Sequence, residues 1–362
     1  MIESTVAQNN NGAWNYTDEP LLYSSNECGN THAYFIERSL EILKEGGKFG
    51  FIVPVALVST DRMNGIREVL HSDSSSVSYY NFDDRPSKIF RGIEHCRSTI
   101  VITEKGTGVQ KVTTSKFQKW KAEDRPKLLK KLKTVQWKLE NERAKVPKIG
   151  TVEERDIIKR LIDSSCGKTI NDSLQSTGSS VWYYNATSNW IHAHTEQYIP
   201  RTEYFDSFRL EGTDIIPVGN GKEQISTHYK AITFDEKYSH IVNGLMNTSL
   251  FYWWFVIWSD GRDLLNQHVT SFPIDLSSFP SDKSATLQTL VNNLMQSYFD
   301  NSNIKMNTRD NGKYCIRIRE ILPKRSKSII DKIDDMFADY FGFSKEEKEF
   351  IKTFDLKFRI EE

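Results

Sequence analysis

Residues 30–54 read NTHAYFIERSLEILKEGGKFGFIVP and predict an amphipathic helix followed by a buried strand. Apolar side chains recur at helical spacing, at Ala33, Ile36, Leu40 and Leu43, while charged side chains cover the opposite face. Gly46 and Gly47 end the helix, because glycine tolerates the left-handed backbone that a helix terminus needs. The apolar run from Phe49 to Val53 hardly alternates, which is typical of a strand covered on both faces in a parallel α/β sheet.

Two further strands, separated by a polar loop, are predicted nearby, at about Val77–Phe82 and Ser98–Thr103. Residues 81–103 read NFDDRPSKIFRGIEHCRSTIVIT. This segment resembles the strand, aromatic loop and returning strand that close the catalytic domain of gamma-class adenine-N6 DNA methyltransferases. From Cys28 to Thr103 the chain is similar to that family in order and spacing, particularly to the large type IIG restriction-modification enzymes.

Segments further along the chain resemble the target-recognition region and tail of those enzymes. They are NTSLFYWW at 247–254, QHVTSFP at 267–273, YFGFSKEE at 340–347 and FDLKFR at 354–359. The resemblance implies an α/β protein in which a partial Rossmann-like methyltransferase sheet is followed by a mixed α+β target-recognition domain and a helical C-terminal tail. The expected regions are 1–105 for the C-terminal half of the catalytic domain, 106–150 for a charged helical linker, 151–280 for DNA recognition and 281–362 for the helical tail.

The chain lacks the two motifs that carry the chemistry in that family. Methyl transfer needs a glycine-rich turn to hold S-adenosylmethionine and an Asn/Asp-Pro-Pro-Tyr/Phe loop to bind the target amino group. No Asn-Pro or Asp-Pro dipeptide occurs in the sequence, and Gly46-Gly47 follows a helix, which is the wrong context for a nucleotide fingerprint. In the family both motifs precede the Cys28–Asn30 segment. The resemblance therefore implies that a separate chain binds the cofactor, with Asn30, Tyr34 and Phe35 bordering it and no catalytic residue in this chain.

Composition agrees with a globular protein that works in the cytoplasm. The 362 residues carry 48 Lys and Arg against 48 Asp and Glu, so no overall basicity indicates a polyanionic partner. Between Lys111 and Arg160, however, 16 basic residues face 7 acidic ones. This stretch is either a solvated helical face or a phosphate-binding surface. The four cysteines have no metal-type spacing, the first residues show no signal-like apolar region, and the longest apolar run is too short to span a bilayer.

Three sets of residues are candidates for function. Arg85, Pro86 and Phe90 match the loop that lines the pocket for the extruded adenine in the family, where an aromatic ring replaces lost base stacking. A phenylalanine before a strand is otherwise a core residue. Basic and polar side chains on expected loops are candidates for base or phosphate contacts, at Lys168, Arg201, Lys222, Arg262 and His268, although each is individually compatible with an ordinary surface position.

Two other groups favour structural roles. The aromatic run FYWWFVIW at 251–258 must point around a whole helix, so most of its rings are expected in the core. His192 and His194 share a face of a probable strand and are spaced for metal binding, but no third ligand is apparent. We therefore expect no metal site.

The resemblance predicts the DNA-recognition and catalytic-domain-completing part of a site-specific adenine-N6 DNA methyltransferase of a restriction-modification or phage-defence system. Double-stranded DNA, a separate methyltransferase chain and a restriction nuclease are the expected partners, and no membrane contact is expected. The alternatives are a catalytically inactive methyltransferase-like module that binds DNA or an assembly partner, and a truncated reading frame.

Overall fold

The computed structural model describes residues 24–90, 92–186 and 189–360. Its backbone divides into two compact units. The first contains the chain up to Asp156 together with Val256–Gly261, and the second contains Ile157–Phe255 and Arg262 onward. The first unit therefore extends well beyond the expected boundary near residue 105.

The described residues contain α-helices and β-strands throughout. The helices are α1 Thr31–Ile42, α2 Ala56–Ser59, α3 Asn64–Ser72, α4 Val152–Ser164, α5 Glu236–Met246, α6 Ser249–Trp258, α7 Asn266–Thr270, α8 Ser281–Asp300, α9 Lys327–Tyr340, α10 Lys345–Thr353 and α11 Leu356–Ile360. The strands are β1 Lys48–Pro54, β2 Ser74–Phe82, β3 Ser98–Lys105, β4 Lys111–Ser115, β5 Thr134–Lys138, β6 Leu174–Tyr184, β7 Ala193–Thr195, β8 Arg201–Phe205, β9 Ser207–Glu211, β10 Asp214–Val218, β11 Lys222–Ile225, β12 Tyr229–Phe234, β13 Asn303–Arg309 and β14 Tyr314–Glu320. None of the helices in the described ranges is long and apolar enough to cross a membrane.

The first predicted helix is confirmed as α1, but it ends at Ile42, before the Gly46-Gly47 pair that was expected to end it, and Leu43 is extended. Its N-cap is Asn30, whose side-chain oxygen accepts a hydrogen bond from the His32 backbone N–H at 3.3 Å. Ala33, Ile36 and Leu40 are fully buried, as their spacing predicts. The buried Glu37 carboxylate accepts hydrogen bonds from the backbone and hydroxyl of Ser25, and these fix the preceding turn against the helix.

The first unit contains a five-stranded sheet in the order β1-β3-β2-β4-β5. The predicted returning strand is confirmed, because β3 lies between β1 and β2 and is antiparallel to both. The expectation of a parallel sheet is wrong, since among the described strands of this sheet only β2 and β4 pair in parallel. The returning strand reverses direction and makes the sheet mixed.

Strand β1 is an edge strand and is not covered on both faces as expected. In the described ranges it pairs with β3 alone. Ile52 on β1 and Ile102 on β3 lie on the same face of the sheet and are 45% and 44% exposed, whereas Val101 on the opposite face is fully buried. Helices of the described first unit thus cover one face of this pair and leave an apolar face open.

Residues 106–150 are not a helical linker. They supply β4 and β5, which extend the same sheet, and the connection between them contains two short 3₁₀ turns, Ala122–Lys127 and Leu129–Lys131. Pro126 lies inside the first turn, and proline has no backbone N–H to continue a helix. The basic residues of this segment therefore do not form one solvated helical face.

The second unit contains three antiparallel sheets, in the orders β12-β6-β7, β11-β8-β14-β13 and β10-β9. The region 281–362 was expected to be helical, but it also contains the hairpin of β13 and β14, which pairs with β8. The predicted capping box is confirmed in α10. There the Ser344 hydroxyl accepts from the Glu347 N–H, and the Glu347 carboxylate accepts from the Ser344 N–H.

The aromatic run forms core, as predicted. Phe251, Tyr252, Trp253 and Phe255 on α6 are essentially inaccessible to solvent. The fully buried Asp334 carboxylate accepts hydrogen bonds from the first two N–H groups of this helix, those of Ser249 and Leu250, both at 3.1 Å. Burial raises the pKa of Asp334 to about 6, and these two hydrogen bonds oppose the shift. Dense aromatic sequence here serves packing, not ligand stacking.

Candidate functional site

The β2–β3 connection, residues 83–97, is hereafter the aromatic loop. Its base is a buried charge cluster. Arg97 Nε lies 2.9 Å from Asp83 Oδ1 and 3.3 Å from Asp84 Oδ1, and Lys119 Nζ lies 4.0 Å from Asp83 Oδ2. Burial raises the pKa of Asp83, and the charges of Lys119 and Arg97 oppose that shift. These ion pairs hold the two ends of the loop together.

A second contact fixes the middle of the aromatic loop. The Arg125 guanidinium donates hydrogen bonds to the carbonyls of Lys88 and Ile89, at 2.6 and 3.1 Å. Its carbon Cζ lies 4.9 Å from the centre of the Trp120 ring, within cation–π distance. Two side chains from the segment that was expected to be a linker, Lys119 and Arg125, therefore hold the part of the loop that precedes Phe90.

The tip of the aromatic loop presents apolar and basic groups to solvent. Phe90 and Ile93 are 37% and 49% exposed, and Arg85 and Pro86 are exposed as well. The structure thus brings the three predicted pocket residues onto one anchored loop. Phe90 does not lie in the core, so the packing alternative for this residue is disfavoured.

Lys148 belongs to the charged interior beneath this loop and was not singled out from the sequence. Its ammonium group is fully buried and donates to the carbonyls of Ile257 and Ser259, at 3.0 and 2.5 Å. Burial lowers the pKa of Lys148 to about 7, and the carboxylates of Asp260 and Asp83 oppose the shift. Lys148 sits in the basic stretch between Lys111 and Arg160, yet its burial excludes phosphate contact.

The residues expected to border S-adenosylmethionine lie on α1. Phe35 is 62% exposed, Tyr34 is half-buried, and the Asn30 amide oxygen is occupied as the helix cap. Together they offer an exposed aromatic face but neither a glycine-rich turn nor a carboxylate. They fit the border of a cofactor site and not the whole of one, because the groups that grip the amino-acid and ribose parts have no counterpart among them.

The five residues expected to contact DNA lie in the second unit but do not form one cluster. Arg201 and Lys222 are on the neighbouring strands β8 and β11 and are half exposed or more. Lys168 pairs with Asp275 at 2.9 Å and lies outside these strands. Arg262 is exposed and precedes Asp263, which forms an isolated β-bridge with Ala186.

His268 is a correction to that set. It lies in α7, is 7% exposed, and its Nδ1 accepts a hydrogen bond from the Leu265 N–H at 3.1 Å. The side chain caps the start of a short helix and is almost completely buried. A direct role of His268 in DNA contact is therefore excluded, because the capping position buries the ring.

The second unit contains a groove of about 510 Å³ that sequence spacing did not reveal. We call it the Tyr184 groove. It is lined by Tyr184, Ala186, Trp190, His192, Pro200, Arg201, Thr202, Ser226, Tyr229, Lys305, Ile318, Arg319, Glu320, Ile321, Leu322, Pro323, Lys324 and Arg359. Five of these residues are Arg or Lys and one is acidic, so the lining is basic although the whole chain is neutral.

An aromatic cluster forms one wall of the Tyr184 groove. The rings of Tyr184 and His192 stack with centroids 5.4 Å apart and an interplanar angle of 12°, and Tyr229 lies edge-on to Tyr184 at 5.2 Å. Behind them, His192 Nδ1 and His194 Nε2 share a hydrogen bond of 2.8 Å. Burial lowers the pKa of His192 to about 4, so both rings are neutral near pH 7 and one donates to the other. The two histidines thus form a hydrogen-bonded pair behind the aromatic wall.

Comparison with known proteins relates the first part of the chain to one family. Residues 6–90 match the family model for the Eco57I restriction-modification methylase. Within residues 24–90, the matched part that the structure describes, lie α1, β1, α3, β2 and the aromatic loop as far as Phe90. This part of the chain is therefore related to restriction-modification methylases. No curated protein matches the chain.

Two solved structures are similar at low identity. One is the type IIG restriction endonuclease BpuSI, with 10% identity and a TM-score of 0.28 over 89% of this chain and 48% of that chain. The other is the ATP-dependent type ISP restriction-modification enzyme LlaBIII bound to DNA, with 11% identity and a TM-score of 0.29 over 78% of this chain and 28% of that chain. This chain thus spans about half of the first chain and under a third of the second, and TM-scores this low support no conclusion about its fold or function.

Proposed function

We propose that this chain completes the catalytic domain and reads the target sequence of a site-specific adenine-N6 DNA methyltransferase in a restriction-modification or phage-defence system. A second polypeptide binds S-adenosylmethionine and carries the catalytic loop. The observation that carries the proposal is the match of residues 6–90 to restriction-modification methylases. That match ends inside the aromatic loop, at Phe90.

The open edge of the first sheet supports the proposal that a partner chain binds there. Strand β1 offers one row of backbone groups that has no strand beside it in the described ranges, and its open face carries Ile52. Unpaired strand edges next to apolar surface are templates for strand addition. In this proposal the partner continues the sheet from β1 and places its catalytic loop near α1.

In this proposal the aromatic loop stabilises the extruded base by stacking. An enzyme that acts on a base inside a duplex must unstack it, and an exposed aromatic ring lowers the cost by stacking on the extruded base. Phe90 is exposed on a loop that Arg97 and Arg125 fix in place. Pre-ordering of this kind spares the entropy of fixing the loop when DNA binds.

The second unit reads the sequence in this proposal. Lys222 is 76% exposed on β11 and makes only a loose pair with Asp206 at 3.6 Å, so it is available to a base edge. Lys130, in the basic stretch of the first unit, is also exposed and offers a phosphate contact. Base contacts carry sequence information, and phosphate contacts do not.

The test of recognition is a binding series over all single-base variants of the preferred duplex, at two salt concentrations, with the chain in complex with its partner. Lys222→Ala should relax discrimination at one position by about 1–3 kcal/mol. Lys130→Ala should weaken binding to every sequence alike and flatten the salt dependence. If the sequence preference follows the partner chain when partners are exchanged, this chain is a scaffold and the recognition role is wrong.

A further inference from the structure

We propose that the Tyr184 groove holds one unstacked nucleotide of a DNA strand, with the base against the aromatic wall and the phosphate at the basic rim. The inference deepens the recognition role of the second unit and rests on the proposed function. It assigns a ligand to a site far along the chain from the aromatic loop and its Phe90.

The aromatic wall suits a planar ring. Tyr184, His192 and Tyr229 form one packed group, and Tyr184 and His192 are half-buried, so part of each ring faces the groove. Trp190 is held rigidly beside them, because its indole N–H donates to the Arg359 carbonyl at 2.9 Å. Rings already fixed by their neighbours stack on a base with little further loss of conformational entropy.

Two cationic residues of the lining, Lys324 and Arg201, suit a phosphate, and we call them the basic rim. Lys324 lines the groove and makes no hydrogen bond or ion pair with any described residue, so its charge is uncompensated there. Arg201 has only a loose, exposed pair with Glu223 at 3.9 Å. Lys305, by contrast, is satisfied by Glu320 at 2.5 Å. Two cations of the groove lining thus lack close partners, which is the electrostatic condition for holding an anion.

Polar groups of the lining are available to read a base edge. His192 uses Nδ1 for His194, and its Nε2 has no hydrogen-bond partner within the described residues. The hydroxyl-bearing residues Thr202 and Ser226 also line the groove. A volume of about 510 Å³ falls within the range of small-ligand sites, roughly 300–1,000 Å³, and accommodates one nucleotide without a second base.

The combination selects a nucleotide over other ligands. A purely apolar ligand would leave the cations at the rim without a counter-charge, and an inorganic anion would leave the aromatic wall unused. A base joined to a phosphate satisfies both, whether it belongs to a strand or is free in solution. The experiment separates these two sources.

The site is located by photo-crosslinking the full-length chain to single-stranded hexanucleotides that contain one 5-iododeoxyuridine, followed by peptide mapping. We expect the crosslinks at Tyr184, Trp190, His192 or Tyr229, whose rings line the groove. Crosslinks confined to residues outside the groove, such as Phe90, overturn this proposal. The proposed function then still stands, because the duplex series tests it independently.

The affinity is tested by fluorescence anisotropy with labelled thymidine hexanucleotide. Lys324→Ala and Tyr184→Leu should each raise the dissociation constant at least fivefold, while Arg309→Ala, an exposed position on β13 outside the groove, should leave it within twofold. Lys324 is a rim residue, so its variant keeps the test decisive even if Tyr184→Leu fails to fold. An unchanged constant for Lys324→Ala overturns the proposal, and so does thymidine monophosphate binding as tightly as the hexanucleotide, because the groove would then be a site for free nucleotides.

Discussion

Arg97 Nε donates to Asp83 Oδ1 across 2.9 Å, and this buried ion pair joins the end of β2 to the start of β3. The side chains of Arg97 and Asp83 are 11% and 6% exposed. The pair closes the base of the aromatic loop, whereas Phe90 further along the loop is exposed. The buried charges of Arg97 and Asp83 thus hold the two ends of the loop together.

Removal of one partner from this cluster should destabilise the first unit strongly. Arg97→Gln leaves the buried carboxylates of Asp83 and Asp84 without their shared cation, a change that costs about 3–5 kcal/mol in buried pairs. Urea unfolding measures the free energy. Arg38→Gln is the matched control, since the Arg38–Glu41 pair is exposed and should cost under about 1 kcal/mol. Equal small losses for both variants would show that the Arg97 cluster is not a structural anchor.

Phe90→Ala should slow methylation by the reconstituted complex while duplex binding and the melting temperature stay nearly constant. The ring is more than a third exposed, so less packing is lost than at a core phenylalanine, whereas loss of stacking on an extruded base costs about 1–3 kcal/mol. Ile93→Ala, at the same exposed tip, is the control and should have little effect on rate. A lowered melting temperature with an unchanged rate would assign Phe90 to packing.

Lys148 should make stability depend on pH. In the unfolded chain the amine keeps its proton up to its ordinary pKa of 10.5, whereas in the folded protein it loses the proton near pH 7. Between these values the unfolded state binds more protons, so the free energy of unfolding rises with pH. From pH 7.5 to 9.0 the wild type should gain about 2 kcal/mol relative to Lys148→Met, in urea unfolding at both pH values. Identical pH dependence of the two proteins would contradict the burial of this ammonium.

The open edge of β1 should make the isolated chain self-associate. Ile52→Lys places a charge on the exposed face of that edge, and charged edge strands resist association. Sedimentation velocity should show concentration-dependent oligomers for the wild type and fewer for Ile52→Lys. Leu129→Lys, at a 65% exposed apolar position outside the sheet, should not reduce them. A monodisperse wild-type monomer would remove the argument for a partner at this edge.

Local sequence patterns predicted the elements that depend on nearby residues. The period of Ala33, Ile36 and Leu40 gave α1, and the spacing of Ser344 and Glu347 gave the capping box of α10. The strands β4 and β5 escaped prediction because they are short and polar, and their pairing with each other spans about twenty residues. Pairing at that distance leaves no periodic signal.

The candidate site was only partly predictable for the same reason. Arg85, Pro86 and Phe90 are close in sequence and lie on one loop. The Tyr184 groove combines Tyr184, Lys324 and Arg359, which meet only through tertiary packing. In the sequence Lys148 is one cation of a basic stretch. Its buried position could not be predicted, because the carbonyls that accept its hydrogen bonds belong to Ile257 and Ser259, far along the chain.

The most direct test of the account measures transfer of a labelled methyl group from S-adenosylmethionine to adenine in duplex DNA. The reactions contain this chain alone, a partner polypeptide carrying the cofactor motif and catalytic loop alone, or both together. We predict site-specific methylation only in the mixture, and no binding of S-adenosylmethionine to this chain alone in calorimetry. Micromolar one-to-one binding of S-adenosylmethionine by this chain alone, or methylation by the partner that is equally fast and specific without it, would contradict the account.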